Sequence, residues 1–438
     1  MKKLLALLLA LVMVLTMFAC GAPADKDNGD AGKETQGTTG GEEAKGSVYY
    51  LNFKPEFNDA LQQLAKDYKE ATGVDVKVVT AASGTYSDTL TAEMGKENPP
   101  TIFNIGNMAG LADWDEYAID LKDSAIAKEL ATDDFNLYNE DGELKAIGNC
   151  YESFGIIVNV KLLKEAGHEL SEITDFASLK AVVEDIHGKA ATLGFDAFTS
   201  AGLHGGSSWR FSGHLATLPL HYEGVKGSVA TIKGDKLDLF KNVWDLYINN
   251  SATDPKTLSS DALDAAAEFK AGKAVFYQNG TWEYAGLIEA GLKAEDLAMI
   301  PIYCGAEDDK DAGLCSGTEN CWAVNAKVSE ADQKASIDFL VWLVSDEKAA
   351  KTYVEQLGAV PFKNAPASTN KFIADGNALL AAGKKSISWA FNYTPNVDAW
   401  RATVVTALTD YSAGNAEWAK VVEAFVDGWA YEYGVVNG

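Results

Sequence analysis

The sequence has few of the residues that enzyme active sites and metal sites commonly use. Its 438 residues include only five histidines and five cysteines, and no Cys/His group has the spacing of a zinc site. It contains no Gly-x-Ser-x-Gly motif and no Gly-Lys-Ser/Thr triplet, and no second histidine completes a zincin motif after His168-Glu169. The sequence therefore predicts no catalytic constellation, no bound metal and no cofactor.

Basic residues are also scarce. The chain has 37 Lys and Arg against 63 Asp and Glu, a formal net charge of −26. Such an acidic surface repels nucleic-acid phosphates and anionic lipid headgroups, so we expect neither as a partner. Neutral or cationic ligands are more compatible with such an acidic surface. Five cysteines are too few for a disulfide scaffold.

Only one long apolar run is present, and it lies at the extreme N-terminus. Met1-Lys2-Lys3 precede an almost unbroken apolar segment from Leu4 to Phe18. A membrane-spanning helix needs about 20 apolar residues, so the run predicts a secretory signal peptide over residues 1–19. Residues 20–47 contain no aromatic side chain and are rich in Gly, Thr and charged residues. This composition predicts a flexible linker.

The residues around Cys20 resemble a known processing signal. Ala19-Cys20-Gly21 is similar to the lipobox of bacterial lipoproteins. The resemblance implies cleavage before Cys20, lipidation of its thiol, and anchoring at the outer face of the cytoplasmic membrane. An ordinary signal peptide cut at another site is the alternative.

The globular part, residues 48–438, is longer than single cores usually reach, so we expect two domains. Helical and strand patterns alternate along it, which predicts an α/β protein with mostly parallel sheets. After Ser329 the pattern is almost entirely helical. The predicted helices are 58–72, 176–192, 239–249 and 260–270, and the predicted strands are 74–79, 101–105, 195–198 and 274–278.

Aromatic residues in turns are the most informative feature of the sequence. The strand 274–278 runs into Asn279-Gly280-Thr281, and Trp282 then stands where a helix should begin. Ligand crevices form at this end of α/β sheets. An indole offers a flat apolar face that suits the C–H face of a sugar ring. A tryptophan that only plugs the end of the sheet is the alternative interpretation.

The segment FKAGKAVFYQNGTW, residues 269–282, resembles the hallmark segment of the family 1 extracellular solute-binding proteins, the maltodextrin-binding type that serves ABC transporters. Four further segments are similar to family segments in the same order: FNDALQQLAKDYKEATGVDVKV (57–78), NPPTIFNI (98–105), CYESFGIIVNVKLLKEAG (150–167) and the segment from CWAVNAK to AVPFK (321–363). The similarity covers residues 48–438.

The resemblance implies a two-lobed periplasmic-binding-protein-like fold with a hinge and a helical C-terminal region. We place the first lobe at 48–156 plus 313–362 and the second lobe at 157–304 plus 365–438. The resemblance further implies a monomer that closes over a carbohydrate, delivers it to an ABC transporter permease, and touches the membrane only through its lipid anchor.

Candidate ligand-binding residues follow mainly from the same resemblance. Trp282 and Trp209 are expected to stack on the sugar, with Glu152 and Arg210 as polar contacts. Glu152 has a hinge salt bridge as its alternative, Arg210 a structural ion pair, and Trp209 core packing. Less constrained candidates are Asn52, Glu56, Asn104 and Trp400, the last explained equally by a helix core. Trp389 and Tyr393, which interleave with polar residues in a loop, form either a rim for a longer sugar or ordinary packing.

Three further expectations can be compared with the structure. Four tryptophans inside amphipathic helices are predicted core residues: Trp244, Trp342, Trp418 and Trp429. Cys315–Cys321 is the preferred disulfide, since a bridge between Cys150 and Cys304 would restrict the hinge. The alternatives to carbohydrate binding are a non-sugar ligand such as a polyamine or peptide and, as a separate class, an extracellular glycosidase with two carboxyl groups across the scissile bond.

Overall fold

A computed structural model describes residues 46–82, 84–133, 135–319 and 321–438. The predicted signal peptide, Cys20 and almost all of the linker lie outside this part. Its strands are β1 Val48–Asn52, β2 Val76–Thr80, β3 Ile102–Ile105, β4 Leu137–Tyr138, β5 Leu144–Gly148, β6 Glu152–Asn159, β7 Asp196–Phe198, β8 Ala274–Gly280, β9 Leu297–Ile300, β10 Ala312–Gly317, β11 Cys321–Val324 and β12 Lys385–Ser388.

The α-helices of the described ranges are α1 Asn58–Thr72, α2 Tyr86–Met94, α3 Met108–Trp114, α4 Ala125–Lys128, α5 Val160–Glu165, α6 Phe176–Leu193, α7 Thr217–Glu223, α8 Leu237–Asn249, α9 Ala265–Lys270, α10 Glu283–Glu289, α11 Glu330–Ser345, α12 Glu347–Leu357, α13 Lys371–Ala381, α14 Val397–Ser412 and α15 Trp418–Asn437. Helix α1 has the predicted bounds: its apolar stripe is buried, and Gly73 ends it with a φ of 75°, which favours glycine. The helix predicted over 260–270 begins only at Ala265, where the Asp264 side chain caps it.

Two sheets organise the chain. The first has the strand order β2-β1-β3-β11-β5-β4, and the second has the order β12-β10-β6-β8-β7, with β9 also paired to β6. We call each sheet with the helices packed on it a lobe. The α/β class, the two lobes and the helical C-terminal region are confirmed.

The sheets are mixed, which corrects the expectation that they are mostly parallel. Strand β1 runs parallel to β2 and β3, but β11 is antiparallel to β3 and β5. In the second sheet β6 is antiparallel to β8, β9 and β10. The chain enters the second sheet through β6 and leaves it through β10, so these two connecting strands run in opposite directions.

The change of sheet occurs over short segments. The first crossing lies between Gly148 and Glu152, and the second lies between Gly317 and Cys321. The predicted lobe boundaries, 156/157 and 313, fall inside β6 and β10, which both belong to the second sheet. Strands β10 and β6 are paired up to Gly317 opposite Glu152. Both strands therefore stay within the second sheet until the residues where the chain crosses. A third connection follows α12, where Ala359 forms a bridge with Tyr151.

Each lobe has a separate apolar core. Trp322 of β11 is fully buried in the first lobe, as are Trp244 and Trp429 in the second. Trp342 and Trp418 are partly buried and pack against the edges of these cores. All four helical tryptophans therefore contribute to packing, as predicted. Within the described ranges, the structure contains no helix that combines the length and apolar character needed to cross a membrane.

The preferred Cys315–Cys321 disulfide is wrong. Cys150, Cys304, Cys315 and Cys321 are all free and buried. Cys315 lies in the second sheet and Cys321 in the first, on opposite sides of the second crossing. Burial raises the pKa of the Cys321 thiol to about 12, and it raises the pKa of the Cys315 thiol well above its usual value. The buried thiols are therefore protonated at neutral pH.

The free thiols give a direct test of this arrangement. In a Cys20→Ser variant without reductant, we expect negligible reaction with a thiol reagent in the folded state, because the reactive thiolate is disfavoured by burial. Four thiols should react after unfolding in guanidinium chloride. Two or fewer reacting thiols would show that a disulfide forms and would contradict the structure.

Strand β6 depends on a close backbone approach at Gly155. A Cβ atom there would lie 2.3 Å from the carbonyl oxygen of Ile300 in β9. We expect Gly155→Ala to lower the free energy of unfolding by roughly 1–3 kcal/mol, because the paired strands must shift. Gly188→Ala is the matched control: it lies in α6 with open space around its Cβ position, and helix propensity predicts up to about 1 kcal/mol of stabilisation. Equal effects of the two changes in urea unfolding would contradict the packing described.

Candidate functional site

Side chains from both lobes meet beside the crossings. The loop after β1 contributes from the first lobe, and the end of β8 and a helical turn after β7 contribute from the second. Between them lie Glu152, which begins β6, and Glu319, which follows β10. On another side α3 of the first lobe comes within 8 Å of residues 390–393, measured between Cα atoms. These elements border the candidate site.

An aromatic cluster occupies the second-lobe side of the site. Trp282 and Trp209 have ring centroids 6.1 Å apart, and His214 lies 5.6 Å from Trp282 and 4.9 Å from Trp209. The Phe154 ring stacks on His214 at 3.7 Å. We call these four residues the aromatic cluster. Trp282 and Trp209 are only partly buried, so the cluster retains aromatic surface that solvent reaches.

Glycine at position 280 permits the orientation of Trp282. A Cβ at Gly280 would lie 2.2 Å from the Trp282 indole, so the ring folds back over bare backbone. Gly280 is also paired in register with Phe154 on β6. The ladder between β6 and β8 therefore positions the Phe154 ring directly. It positions the Trp282 ring through the Gly280 backbone, over which that indole lies.

The other two rings come from His214, which lies in a π-helix from Arg210 to Leu215, and from Trp209, which directly precedes that helix. His214 is five positions after Trp209, and hydrogen bonds in a π-helix join residues five apart, so the π-helical turn after Trp209 lets the two rings approach to 4.9 Å. In an α-helix residues four apart would align instead. The rare helix type therefore explains how both rings reach Trp282, and such segments occur frequently at functional sites.

Arg210 has a structural role behind the cluster. Its side chain is almost fully buried, and its guanidinium donates hydrogen bonds to the carbonyl oxygens of Ser200, Ala201 and Gln278. It thereby satisfies backbone acceptors that burial would otherwise leave unpaired. These contacts agree with neither the expected ligand contact nor the ion-pair alternative, because its hydrogen-bond partners are these carbonyl groups and the Ser207 hydroxyl.

Glu152 makes a buried ion pair with Lys54. The Lys54 Nζ donates to both carboxylate oxygens at 2.8 Å, and it also lies 3.2 Å from the more exposed Glu56. Burial raises the pKa of Glu152, and Lys54 offsets this only in part. Burial works to lower the pKa of Lys54, but the two carboxylates outweigh it and raise the pKa. This geometry corresponds to the hinge salt bridge given as the alternative for Glu152.

Asn52 holds the lysine in place. Its side chain accepts from the Lys54 backbone N–H at 3.1 Å and donates to the Lys54 carbonyl oxygen at 2.7 Å. Such a local side-chain turn is typical of asparagine. Asn52 is buried, so the structure places it as a support for the ion pair. Glu56, by contrast, remains near the open site.

The other candidates are buried or partly buried. Trp400 is fully buried between α14 and α15, where its indole N–H donates to the Phe425 carbonyl oxygen. Trp389 is buried against Phe154 and donates to the Cys315 carbonyl oxygen. For both residues the structure therefore supports packing, the alternative given to ligand stacking. Asn104 is buried in β3 and hydrogen-bonded to the Tyr50 hydroxyl. Tyr393 is partly buried against the second core.

Three charged residues near the site were missed by sequence reasoning. Glu283 follows Trp282, and burial raises its pKa, with a further increase from the Glu56 carboxylate of the first lobe. Partly buried Glu319 has a raised pKa for the same main reason, burial. Arg401 lies 3.8 Å from Glu319 and over the Phe391 ring. The sequence did contain a signal for Arg401, because it directly follows Trp400 in the same helix. Adjacent helix residues point in different directions, so a buried Trp400 places Arg401 on another face.

Among the residues that the structure describes, no group of three or more His, Cys, Asp or Glu side chains could hold a metal ion. The side chains at the site offer stacking on aromatic faces and hydrogen bonding through carboxylate, amide and imidazole groups.

Comparison with known proteins agrees with this geometry. Residues 63–382 match the family model described as bacterial extracellular solute-binding protein. The chain belongs to this family. The solute-binding protein is 26% identical to the diacetylchitobiose-binding protein DasA of Streptomyces coelicolor, over 96% of this chain and 97% of that one.

Solved structures show that the fold is shared. A chitin oligosaccharide binding protein superposes with a TM-score of 0.66 at 18% identity, over 89% of this chain and 99% of that chain. The solute-binding protein RafE in complex with raffinose superposes with a TM-score of 0.68 at 16% identity, over 88% of this chain and 99% of that chain. The solute-binding protein thus has the two-lobed architecture of these relatives.

The buried ion pair gives a testable prediction. We expect Lys54→Met to lower the free energy of unfolding by about 3–5 kcal/mol, because it leaves Glu152 buried without a charge partner. The double variant Lys54→Met/Glu152→Met should recover most of that loss. Lys327→Met is the matched control, since Lys327 pairs with Glu116 at an exposed site and should cost less than about 1 kcal/mol. The ion pair would have no special role if urea unfolding gave the same change for both single variants.

Proposed function

We propose that this solute-binding protein captures a carbohydrate between its lobes and delivers it to an ABC transporter permease. The observation that carries the proposal is the aromatic cluster, with Trp282 and Trp209 partly exposed on the second lobe beside β6, the strand that begins after the first crossing. Aromatic faces are suited to the C–H surfaces of sugar rings. Two indoles in contact provide a surface longer than one ring, which favours an oligosaccharide.

Polar groups around the cluster complement sugar hydroxyls. The carboxylates of Glu56, Glu283 and Glu319 can accept hydrogen bonds from hydroxyl groups, and such bonds are strengthened by the charge of the acceptor. Glu56 belongs to the first lobe and Glu283 to the second. A ligand with hydroxyls on both sides would therefore contact both lobes. Contacts made only when the lobes are together stabilise the closed form.

The relatives support the same class of ligand. DasA is named for diacetylchitobiose, and the structural neighbours include a chitin oligosaccharide binding protein and a complex with raffinose. These ligands are oligosaccharides of different composition. They support a carbohydrate ligand in general and leave the particular sugar to experiment.

The proposal extends to the attachment of the protein. Lipidation at Cys20 and the linker that follows would hold a monomer at the outer face of the cytoplasmic membrane, close to its permease. The family consists of binding proteins rather than enzymes, and we propose no catalytic activity. Mass spectrometry of protein purified from membranes tests the anchor: the mature chain should begin at a lipid-modified Cys20.

One observation favours a second candidate. Glu56 and Glu283 lie close enough for each lobe to influence the other electrostatically, and paired carboxylates would attract a cationic solute such as a polyamine. The aromatic cluster also provides apolar surface for such a chain. The binding experiment below therefore includes spermidine beside the sugars.

Thermal unfolding distinguishes these ligands. We expect diacetylchitobiose, raffinose or stachyose to raise the melting temperature, since a ligand at a hundred times its dissociation constant adds about 2.7 kcal/mol. Trp282→Ala should abolish the shift at the same ligand concentration. Tyr431→Ala, at an exposed aromatic residue on α15, is the control and should retain it. A shift with spermidine alone would establish the second candidate and contradict a carbohydrate ligand.

Hydrolysis is checked in the same samples. Pure protein incubated with each oligosaccharide should leave it intact by chromatography. Release of monosaccharides would contradict a pure binding role.

A further inference from the structure

His214 is the one member of the aromatic cluster with hydrogen-bonding nitrogens in its ring, and sequence reasoning did not select it. His214 lies in the π-helix, its ring contacts both Trp209 and Trp282, and Phe154 stacks on it. His214 is 5% exposed. A polar ring held among aromatic rings at a binding surface is costly unless its nitrogens find partners.

One ring nitrogen has a protein partner. The amide Nε2 of Gln278 lies 2.8 Å from Nδ1 of His214. Gln278 is itself fixed, because it is buried in β8 and its carbonyl oxygen accepts from Arg210. The other ring nitrogen, Nε2, has no hydrogen-bond partner among the residues that the structure describes. The ring is thus held rigidly through one nitrogen while the second is unused.

The ring is neutral at physiological pH. Burial lowers the pKa of His214 well below its usual value, and the nearby cations Arg401 and Arg210 lower it further. The Arg401 guanidinium lies directly beside the preceding residue, since a Cβ at Gly213 would be 2.8 Å from its Nη2. A neutral imidazole that uses Nδ1 for the Gln278 amide keeps Nε2 as a second hydrogen-bonding nitrogen, a donor or an acceptor according to the tautomer. Among the described residues, Nε2 has no hydrogen-bond partner.

We propose that Nε2 of His214 forms a hydrogen bond with a hydroxyl group of the bound saccharide and determines which hydroxyl the site accepts beside the two indoles. The inference rests on the carbohydrate function proposed above and deepens it. The chemical class it selects is a neutral hydroxyl group next to the stacked sugar face, which can pair with Nε2 in either tautomer. A stack between Trp282 and Trp209 tolerates many sugars, whereas a rigid polar nitrogen in the same cluster discriminates among them by the position of one hydroxyl.

Three substitutions separate ligand binding from packing. His214→Phe keeps a ring for stacking on Phe154 and removes both nitrogens. His214→Asn retains a polar group near the Nδ1 position, towards Gln278, and loses the Nε2 group. His214→Gln retains a polar group near the Nε2 position and loses the bond to Gln278. His187→Gln is the control, since His187 pairs with Asp196 outside the site.

Calorimetry of the full chain with diacetylchitobiose, raffinose and stachyose measures the effect. For whichever of these the wild type binds, we expect Phe and Asn at position 214 to weaken binding about tenfold, the loss of one well-aligned hydrogen bond with its partner left unpaired. The His214→Gln variant should bind the same sugar with an affinity within about threefold of that of the wild type. The control should be unchanged. Melting temperatures recorded alongside show whether each variant is folded; if the Phe variant is not, the Asn and Gln pair decides.

The outcomes distinguish the two proposals. Wild-type binding that is unchanged in the Phe and Asn variants would overturn the role of His214 and leave the carbohydrate function standing. Binding that is lost in the His214→Gln variant but retained in the His214→Asn variant would show that only the bond to Gln278 matters. That result would also overturn the inference. No binding of any of the three sugars by the wild type, with a response to spermidine, would overturn both proposals together.

Discussion

The buried ion pair between Lys54 and Glu152 is the interaction on which the arrangement of the two lobes depends. Removing two charges from water is costly, so each is tolerated only because the other is present and bonded to it. Lys54 belongs to a first-lobe loop braced by Asn52, and Glu152 begins the strand that enters the second lobe. At the second crossing Gly317 pairs with Glu152 itself, and at the third connection Ala359 forms a bridge with the neighbouring Tyr151. All three connections therefore meet around one charge pair.

From this point β6 and β8 carry the binding surface. Their ladder places Phe154 opposite Gly280, so one aromatic ring and the bare backbone under Trp282 lie side by side. The π-helix then covers Phe154 with His214, whose ring lies 4.9 Å from that of Trp209. Arg210 secures the back of this assembly by bonding three carbonyl oxygens. The cluster is thus rigid through backbone pairing and buried hydrogen bonds, and that rigidity lowers the entropy lost on binding.

Charge is distributed unevenly around the site. The chain is strongly acidic overall, yet burial, together with the charges of Arg401 and Arg210, lowers the pKa of His214, and Lys54 compensates Glu152. The carboxylates that remain, Glu56, Glu283 and Glu319, lie around the cluster rather than within it. A ligand that stacks on the indoles and offers hydroxyls to the periphery satisfies both regions. An anionic ligand would meet repulsion from those carboxylates.

Much of the fold and part of the site could be predicted from local pattern. Helix α1 was predicted to the residue because its apolar spacing and the glycine that ends it are local features, and Trp282 was found because a tryptophan after a strand and an Asn-Gly turn is a local signal. Length and composition indicated two cores and the absence of familiar catalytic motifs.

The tertiary structure decided what local pattern could not. Whether Trp400 or Arg401 faces the site depends on which side of α14 packs against α15, and the role of Arg210 depends on carbonyl groups as distant in sequence as Gln278. His214 joins the cluster only because a π-helix replaces an α-helix over six residues. By itself, the sequence determined the elements and the chemistry available to them, since these follow from neighbouring residues. Only the tertiary structure decided which side chains are buried as supports and which remain to meet a ligand, because burial depends on residues far apart in the chain.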